Sequence, residues 1–124
     1  MKIVEHKAEK SIALDFDGVI HSYSKGWHTK DIYDPPTPGA HEALKELSAR
    51  YGVFILSARP AKDILPWCRR QFPDLKFCLV GPKVRYWGRK GVIGVTNRKL
   101  PALAYIDDRA IRFSNWVDIK NYFL

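Results

Sequence analysis

The stretch "LDFDGV", Leu14 to Val19, ends an apolar run with two carboxylates, Asp15 and Asp17, and then turns at Gly18. Side chains at positions i and i+2 of a strand point the same way, so we expect both carboxylates on one side of the chain. Like charges held close together repel, and folding alone gains nothing from this arrangement. The stretch is either a strand that leaves the core through an ordinary Asp-Gly turn or a site where a cation or a reacting group lies between the carboxylates.

Length and composition are those of one soluble domain. The chain has 124 residues, of which 46% are hydrophobic and 27% charged, and a second independent core is not expected at this length. The first ten residues are charged throughout, and the longest apolar runs are far too short to span a membrane. Two cysteines, Cys68 and Cys78, are too few for a disulfide framework. We therefore expect a reduced, cytoplasmic protein without a membrane partner.

Positive charge is concentrated in the second half of the chain. Residues 1–58 carry 7 Lys/Arg and 8 Asp/Glu, whereas residues 59–124 carry 14 and 5, and the net charge is +8. From Gly81 to Lys99 there is no acidic residue, and Tyr86 and Trp87 lie among six basic ones. The basic residues are Lys83, Arg85, Arg89, Lys90, Arg98 and Lys99. Such a segment suits a phosphate-rich partner, with Arg85 and the Trp87 ring as candidate contacts. A solvated basic face that only keeps the protein soluble is the alternative.

Short β-branched or aromatic runs alternate with amphipathic stretches, which predicts an α/β fold with a parallel sheet. Strands are predicted at Ser11–Phe16, Val53–Ser57, Lys76–Val80 and Ala102–Asp107. Helices are predicted at Ala40–Tyr51, from Pro60 to about Phe72 with a kink or a break at Pro66, and near the C-terminus. The segment Gly81–Asn97 is predicted as a loop with at most a short strand.

Polar residues follow three of the predicted strands, where an open parallel sheet binds its ligands. Asp15 and Asp17 end the first strand, Ser57 ends the second, and Asp107 and Asp108 end the last. Lys99 lies in the loop just before the last strand. A helix cap, a turn or a solvated charge would explain each residue singly, but their joint position predicts one pocket.

Phosphoryl transfer through a covalent aspartate needs this set of groups. One carboxylate attacks phosphorus, and a second acid protonates the departing oxygen and later takes a proton from water. Mg²⁺ prefers oxygen ligands and keeps the attacking anion and the phosphate from repelling each other. A hydroxyl and an ammonium hold the equatorial oxygens, where charge accumulates.

Three segments carry a resemblance to a known family. "LDFDGVI", "FILSAR" and "RKLPALAYIDDRA" resemble, in order, the first, the second, and the third and fourth motifs of the haloacid dehalogenase-like (HAD) superfamily of phosphohydrolases. The resemblance covers roughly Ser11 to Trp116 and implies a three-layer, Rossmann-like core. The gaps Gly18–Pro38 and Gly81–Arg98 are too short for a cap domain with its own core. The chain is thus similar to small, cap-less HAD proteins of the kind that phages carry, whose open sites take large substrates or a lid from a second subunit.

The resemblance implies a role for each motif residue. Asp15 would be the nucleophile and a metal ligand, and Asp17 the general acid/base with its backbone carbonyl on Mg²⁺. Ser57 and Lys99 would bind the transferring phosphoryl group, although Lys83, Lys90 and Arg98 remain alternatives to Lys99. Asp107 would complete the metal site, with Asp108 as a weaker or water-mediated ligand. Arg59 is expected to contact substrate; His21 and His28 lie near enough to touch it, but a surface loop is the simpler expectation for both.

These observations predict a Mg²⁺-dependent phosphomonoester hydrolase over residues 1–124. The basic, aromatic second half favours a nucleotide or a nucleic-acid end as substrate. Two alternatives stay open: a small-metabolite phosphatase in which the basic segment has no specific role, and a HAD-fold module that binds phosphate or nucleic acid without turnover. The resemblance to cap-less proteins also suggests a homo-oligomer.

Overall fold

The computed structural model describes residues 10–27 and 29–124, so the expectation for His28 lies outside the described residues. Strands and helices alternate over the first five elements, and two further strands and a final helix follow. The strands are β1 (Ser11–Leu14), β2 (Gly52–Leu56), β3 (Phe77–Leu79), β4 (Ile93–Thr96) and β5 (Ala104–Ile106). The helices are α1 (Ala40–Arg50), α2 (Ala61–Gln71), which continues through Pro66 as a single helix, and α3 (Trp116–Phe123).

The five strands form one parallel sheet in the order β3-β4-β2-β1-β5. β1 lies between β2 and β5, with Leu14 opposite Ile55 on one side and Ile106 on the other. Because all strands run the same way, their carboxyl ends meet at one edge of the sheet. The predicted α/β class and parallel sheet are therefore confirmed, and the architecture is consistent with a Rossmann-like fold.

Strand β4 is the element that the sequence pattern did not locate. It falls in the segment predicted as a loop with at most a short strand, and it is fully buried and pairs with both β2 and β3. Gly94 interrupts its apolar pattern because side chains pack directly on its backbone. A Cβ at Gly94 would lie 2.8 Å from Val80 Cγ2 and 2.9 Å from the Trp87 ring. The glycine that weakens the strand signal is thus required by the packing above it.

Helices α1 and α2 cover the same face of the sheet. In α2 the buried residues Ile64, Trp67 and Cys68 follow the i, i+3, i+4 spacing of one helix face. They pack with Ala40 and Leu44 of α1 against the apolar side chains of β1, β2 and β4. This face contains the larger hydrophobic core.

The opposite face is covered by irregular chain, which corrects the expectation of a regular third layer. Ala13 and Phe54 of the sheet pack against Trp87 and Leu100, and both of these belong to connecting segments. The connection between β3 and β4 is rich in glycine and basic residues, and it crosses the sheet without forming a helix. Helix α3 does not replace this layer, because none of its residues is buried.

The C-terminal part of the chain leaves apolar side chains exposed. All three residues of the edge strand β5 are exposed, and so are most residues of α3. The exposed large apolar residues of this part are Leu103, Tyr105, Ile106, Ile111, Phe113, Trp116, Val117, Tyr122, Phe123 and Leu124. No helix within residues 10–27 and 29–124 has the length and hydropathy needed to cross a membrane.

We predict that Gly52→Ala destabilises the protein by roughly 1–3 kcal/mol, the usual cost of overpacking a filled site. A Cβ there would collide with the Trp87 carbonyl oxygen and lie 2.7 Å from Gly88 Cα. Gly81→Ala is the matched control, because its nearest contact would be an ordinary 3.5 Å to Val84 Cγ2. Urea unfolding followed by circular dichroism measures both variants. Equal stability of the two would mean that residues 87–88 do not rest on the start of β2.

Candidate active site

A cavity of about 330 Å³ opens at the carboxyl ends of β1, β2 and β5. Its polar lining consists of Asp15, Ser57, Asn97, Tyr105 and Asp107. These residues are up to 92 positions apart in the sequence, and the parallel pairing of the strands brings them together. The cavity therefore lies where an open α/β sheet binds its ligands.

Three carboxylates converge beside this cavity. One side-chain oxygen from each of Asp15, Asp107 and Asp108 lies within 4.8 Å of the others. The Asp15 backbone N–H donates to the Ile106 carbonyl at 2.9 Å, which ties the end of β1 to the end of β5. Asp107 Oδ1 in turn accepts from the Arg109 backbone N–H at 2.8 Å. The structure thus brings together three of the four residues that the sequence suggested as metal ligands.

Glycine is required at position 18 for two reasons. Its φ of 85° is in the left-handed region, which residues with a Cβ rarely adopt. A Cβ there would also collide with the Asp108 carboxylate, whose Cγ would be 2.6 Å away. The turn after Asp17 therefore provides the space into which Asp108 projects.

The crowding changes the acidity of Asp15. Burial raises the pKa of Asp15 from 3.8 to about 6, and the hydrogen bond from the Phe16 backbone N–H opposes this rise. The negative charges of Asp107, Asp108 and Asp17 raise the pKa further. A cation among these carboxylates would remove the cause of their repulsion.

The donor set fits Mg²⁺. Carboxylate oxygens are the ligands that this ion prefers, and it usually takes only one or two carboxylates, with water and phosphate oxygens in the remaining positions. Oxygens within 4.8 Å of one another can reach metal–oxygen distances of about 2.0–2.1 Å by small side-chain rotations. Asp15 and Asp107 would therefore hold the ion, with Asp108 in contact directly or through water.

Asp17 has different partners. His21 Nδ1 is 2.8 Å from its Oδ1, and Arg59 Nε donates to its Oδ2 at 2.8 Å. The Asp34 backbone N–H donates to His21 Nε2 at 3.0 Å, so Nδ1 carries the imidazole proton and donates to Asp17. Strand β1 ends at Leu14, so the alternation rule that placed both carboxylates on one side does not extend to Asp17.

His21 and Arg59 are both buried. The His21 side chain has no solvent exposure, so the expectation of a surface loop is wrong for this residue. Arg59 is 6% exposed, and its Nη1 donates to the Lys30 carbonyl at 2.9 Å. Both residues hold Asp17 in one orientation.

Ser57 lies on the cavity, and Asn97 shapes the loop that carries it. Ser57 Oγ accepts from the Arg59 backbone N–H at 3.1 Å. Asn97 Nδ2 donates to the carbonyls of Ser57 (2.8 Å) and Arg59, and Asn97 Oδ1 accepts from the Ala61 N–H at 3.2 Å. The sequence analysis missed Asn97 because β4 was not recognised. Asn97 follows β4 as Ser57 follows β2, and that position was the available signal.

Lys99 lies at the border of the cavity. Its Nζ is 4.8 Å from the ring centroid of Tyr105, which lines the cavity. The Lys99 side chain is exposed. The alternative Arg98 is already engaged, since its Nη1 and Nη2 donate to the carbonyls of Val84 (2.9 Å) and Gly81 (2.6 Å).

The basic segment extends to the opposite edge of the sheet. The Trp87 carbonyl accepts from Ser11 Oγ at 2.6 Å, at the start of β1, and Arg89 lies over the Trp87 ring. Trp87 is only 3% exposed, and its indole N–H donates to the Val92 carbonyl, so its buried ring does not fit the predicted base-stacking role. Arg85 is exposed between these two edges.

Comparisons with protein-family models, with curated proteins and with solved structures found no match to this chain. The function of the cavity is therefore inferred from its own chemistry. Three carboxylates, the Ser57 hydroxyl and a fourth carboxylate, Asp17, which Arg59 holds in place, lie at one edge of a parallel sheet.

We predict that Asp15→Asn stabilises the metal-free protein at pH 7.5 by about 1 kcal/mol, after allowance for solvent screening. Because the folded-state pKa of Asp15 is raised, the folded state binds more protons than the unfolded state between about pH 4 and 6. Stability is therefore lost as the pH rises through that window, and the asparagine variant does not lose it. Thermal unfolding in EDTA at pH 4 and pH 7.5 measures the difference.

The control for this experiment is Asp74→Asn. Asp74 is exposed and its pKa is lowered by the hydrogen bond with His41, so its replacement should bring no stabilisation at pH 7.5. A wild-type protein as stable as Asp15→Asn at both pH values would show that the carboxylate is not under strain.

Proposed function

We propose that the chain is a Mg²⁺-dependent phosphomonoester hydrolase of the HAD type that acts through an aspartyl-phosphate at Asp15. The observation that carries the proposal is the convergence of Asp15, Asp107 and Asp108 beside a cavity that also exposes Ser57. Three carboxylates this close oppose folding unless a cation joins them, and a cation site beside a nucleophile suits an anionic substrate.

The metal would be held by Asp15 and Asp107, by the backbone carbonyl of Asp17, and by Asp108 directly or through water. When bound, Mg²⁺ supplies positive charge that offsets the repulsion between the carboxylates and the phosphate. The Ser57 hydroxyl donates a hydrogen bond to the phosphoryl group. Lys99 neutralises charge on the same group.

Turnover would take two steps on the protein side chains. An Asp15 oxygen forms a bond to phosphorus while the ester P–O bond breaks, and the departing oxygen takes a proton from Asp17. Water then attacks phosphorus and transfers a proton to Asp17, which releases inorganic phosphate and restores the Asp15 carboxylate. Each Asp17 oxygen keeps a lone pair beside its bond to His21 or Arg59, so both contacts are compatible with a proton there.

A nucleotide or a nucleic-acid end is the substrate class that we favour. The gaps Gly18–Pro38 and Gly81–Arg98 hold no domain that could cover the site, and the second half of the chain is strongly basic. A small-metabolite phosphatase and a module that binds phosphate without turnover remain the competing proposals. A homo-oligomer stays a prediction, supported by the apolar side chains that the C-terminal part exposes.

We expect Asp15→Asn to lower kcat for p-nitrophenyl phosphate by at least about 10³-fold, because an amide does not attack phosphorus usefully. Asp74→Asn, far from the cavity, is the control and should keep wild-type rates. The wild-type rate should vanish in EDTA and return with Mg²⁺. Undiminished hydrolysis by Asp15→Asn would exclude the covalent mechanism, and a wild-type protein that binds phosphate without hydrolysing any ester would favour the binding module.

The positions of the basic residues predict an unequal effect on polyanionic substrates. Lys62 and Pro82, the residue before Lys83, line one cavity at the carboxyl edge. At an ionic strength of about 0.1 M, Lys62→Ala/Lys83→Ala should therefore raise KM for a 5′-phosphorylated oligonucleotide about fivefold. Arg89 lies over Trp87 at the opposite edge of the sheet, about the length of a four-residue strand away. This length exceeds the Debye length of about 8–10 Å, so Arg89→Ala/Lys90→Ala should change KM less than about twofold.

Steady-state kinetics at two salt concentrations measures both pairs, with p-nitrophenyl phosphate as the small reference substrate. KM values that neither pair changes and that do not respond to salt would support the small-metabolite phosphatase.

A further inference from the structure

A second cavity, of about 460 Å³, lies beside Asp17. It is lined by Asp17, Tyr23, Trp27, Lys30, Arg59 and Asp63, among others. Ala58 lines both this cavity and the first one, so the two adjoin at the loop after β2. Because Asp17 lines this cavity, a leaving group that takes a proton from Asp17 would border it.

Arg59 presents an unused donor at this cavity. Its Nε and Nη1 are engaged by Asp17 and the Lys30 carbonyl, but its buried Nη2 has no hydrogen-bond partner within the described chain. A buried donor without an acceptor is unfavourable, and more so on a charged group. The guanidinium lies 5.2 Å from the ring centroid of Trp27. A tilt of this ring, which is 65% exposed, would give an acceptor access to Nη2.

Two aromatic side chains, Tyr23 and Trp27, line the cavity, and Tyr23 is held by contacts with neighbouring rings. Trp27 offers an exposed indole, and Tyr23 is held beside it with a φ of 57°, a left-handed conformation that is uncommon for a residue with a Cβ. The Tyr23 ring contacts those of His21 and Tyr33, with centroids 5.8 and 6.3 Å apart. Backbone strain of this kind is kept where the surroundings over-determine it, often at a ligand site.

We propose that this second cavity binds the nucleobase of the substrate. The base stacks on the Trp27 indole, and a carbonyl or ring-nitrogen acceptor in the plane of the base receives the hydrogen bond from Arg59 Nη2. A nucleobase combines the flat face and the in-plane acceptor that these two residues require. The inference rests on the proposed hydrolase function in one respect: the base is then part of the group that leaves phosphorus.

Binding of nucleosides without a phosphate tests this site separately from catalysis. Adenosine, guanosine, cytidine and uridine are titrated into the full chain in EDTA, with affinity measured by calorimetry or NMR. We expect binding of at least one nucleoside, weakened roughly 5- to 150-fold by Trp27→Ala, the range for loss of one base–aromatic stack. Trp116→Ala removes a tryptophan that is 69% exposed elsewhere and should leave the affinity unchanged.

Arg59→Lys tests the donor. It keeps the charge but removes the planar group, so the preferred nucleoside should bind more weakly while indole, whose ring nitrogen is only a donor, binds as before. Equal loss of both ligands would reduce the site to an apolar pocket, and unchanged nucleoside binding by Trp27→Ala would overturn the proposal.

The two proposals fail in different ways. Nucleoside binding that depends on Trp27, without hydrolysis of any phosphate ester, would keep the base site and remove the hydrolase. Hydrolysis by a wild-type protein that binds no nucleoside would keep the hydrolase and remove the base site.

Discussion

The meeting of three carboxylates at one edge of the sheet is the constraint on which the rest of the site depends. Parallel pairing of β1 with β5 places Asp15 beside Asp107 and Asp108, and the hydrogen bond from the Asp15 N–H to Ile106 fixes that approach. Gly18 leaves the space that the third carboxylate occupies. Burial and like charge then raise the pKa of Asp15 to about 6, an unfavourable arrangement that a divalent cation would relieve.

The two acids of the opening motif are separated by their surroundings. Asp15 belongs to the crowded cluster, whereas Asp17 is held by a buried histidine and a buried arginine on the other side of the turn. Nucleophilic attack and proton transfer need two acids with different environments, and one short turn after β1 provides both. Arg59 extends the arrangement, since the guanidinium that orients Asp17 also borders the second cavity.

The sequence predicted the parts of the fold that depend on local pattern. Apolar runs located β1, β2, β3 and β5, and the polar residues that follow strands located Asp15, Ser57 and Asp107. The sequence did not locate β4, because its Gly94 is required by the close packing of Val80 and Trp87 and weakens the strand pattern. Asn97, which follows that strand, was missed for the same reason. The burial of Trp87 and His21 depends on contacts with distant segments, so composition alone suggested exposed aromatic and surface positions.

Chemical trapping of the nucleophile tests the central claim most directly. The wild-type protein is mixed with Mg²⁺ and excess p-nitrophenyl phosphate, quenched in acid within the first turnovers, and reduced with borohydride, which converts an aspartyl-phosphate to homoserine. Peptide mass spectrometry should then find homoserine at position 15, and at neither Asp17 nor Asp107. Steady release of nitrophenol and phosphate with position 15 recovered only as aspartate, or with the modification at another carboxylate, would contradict the account.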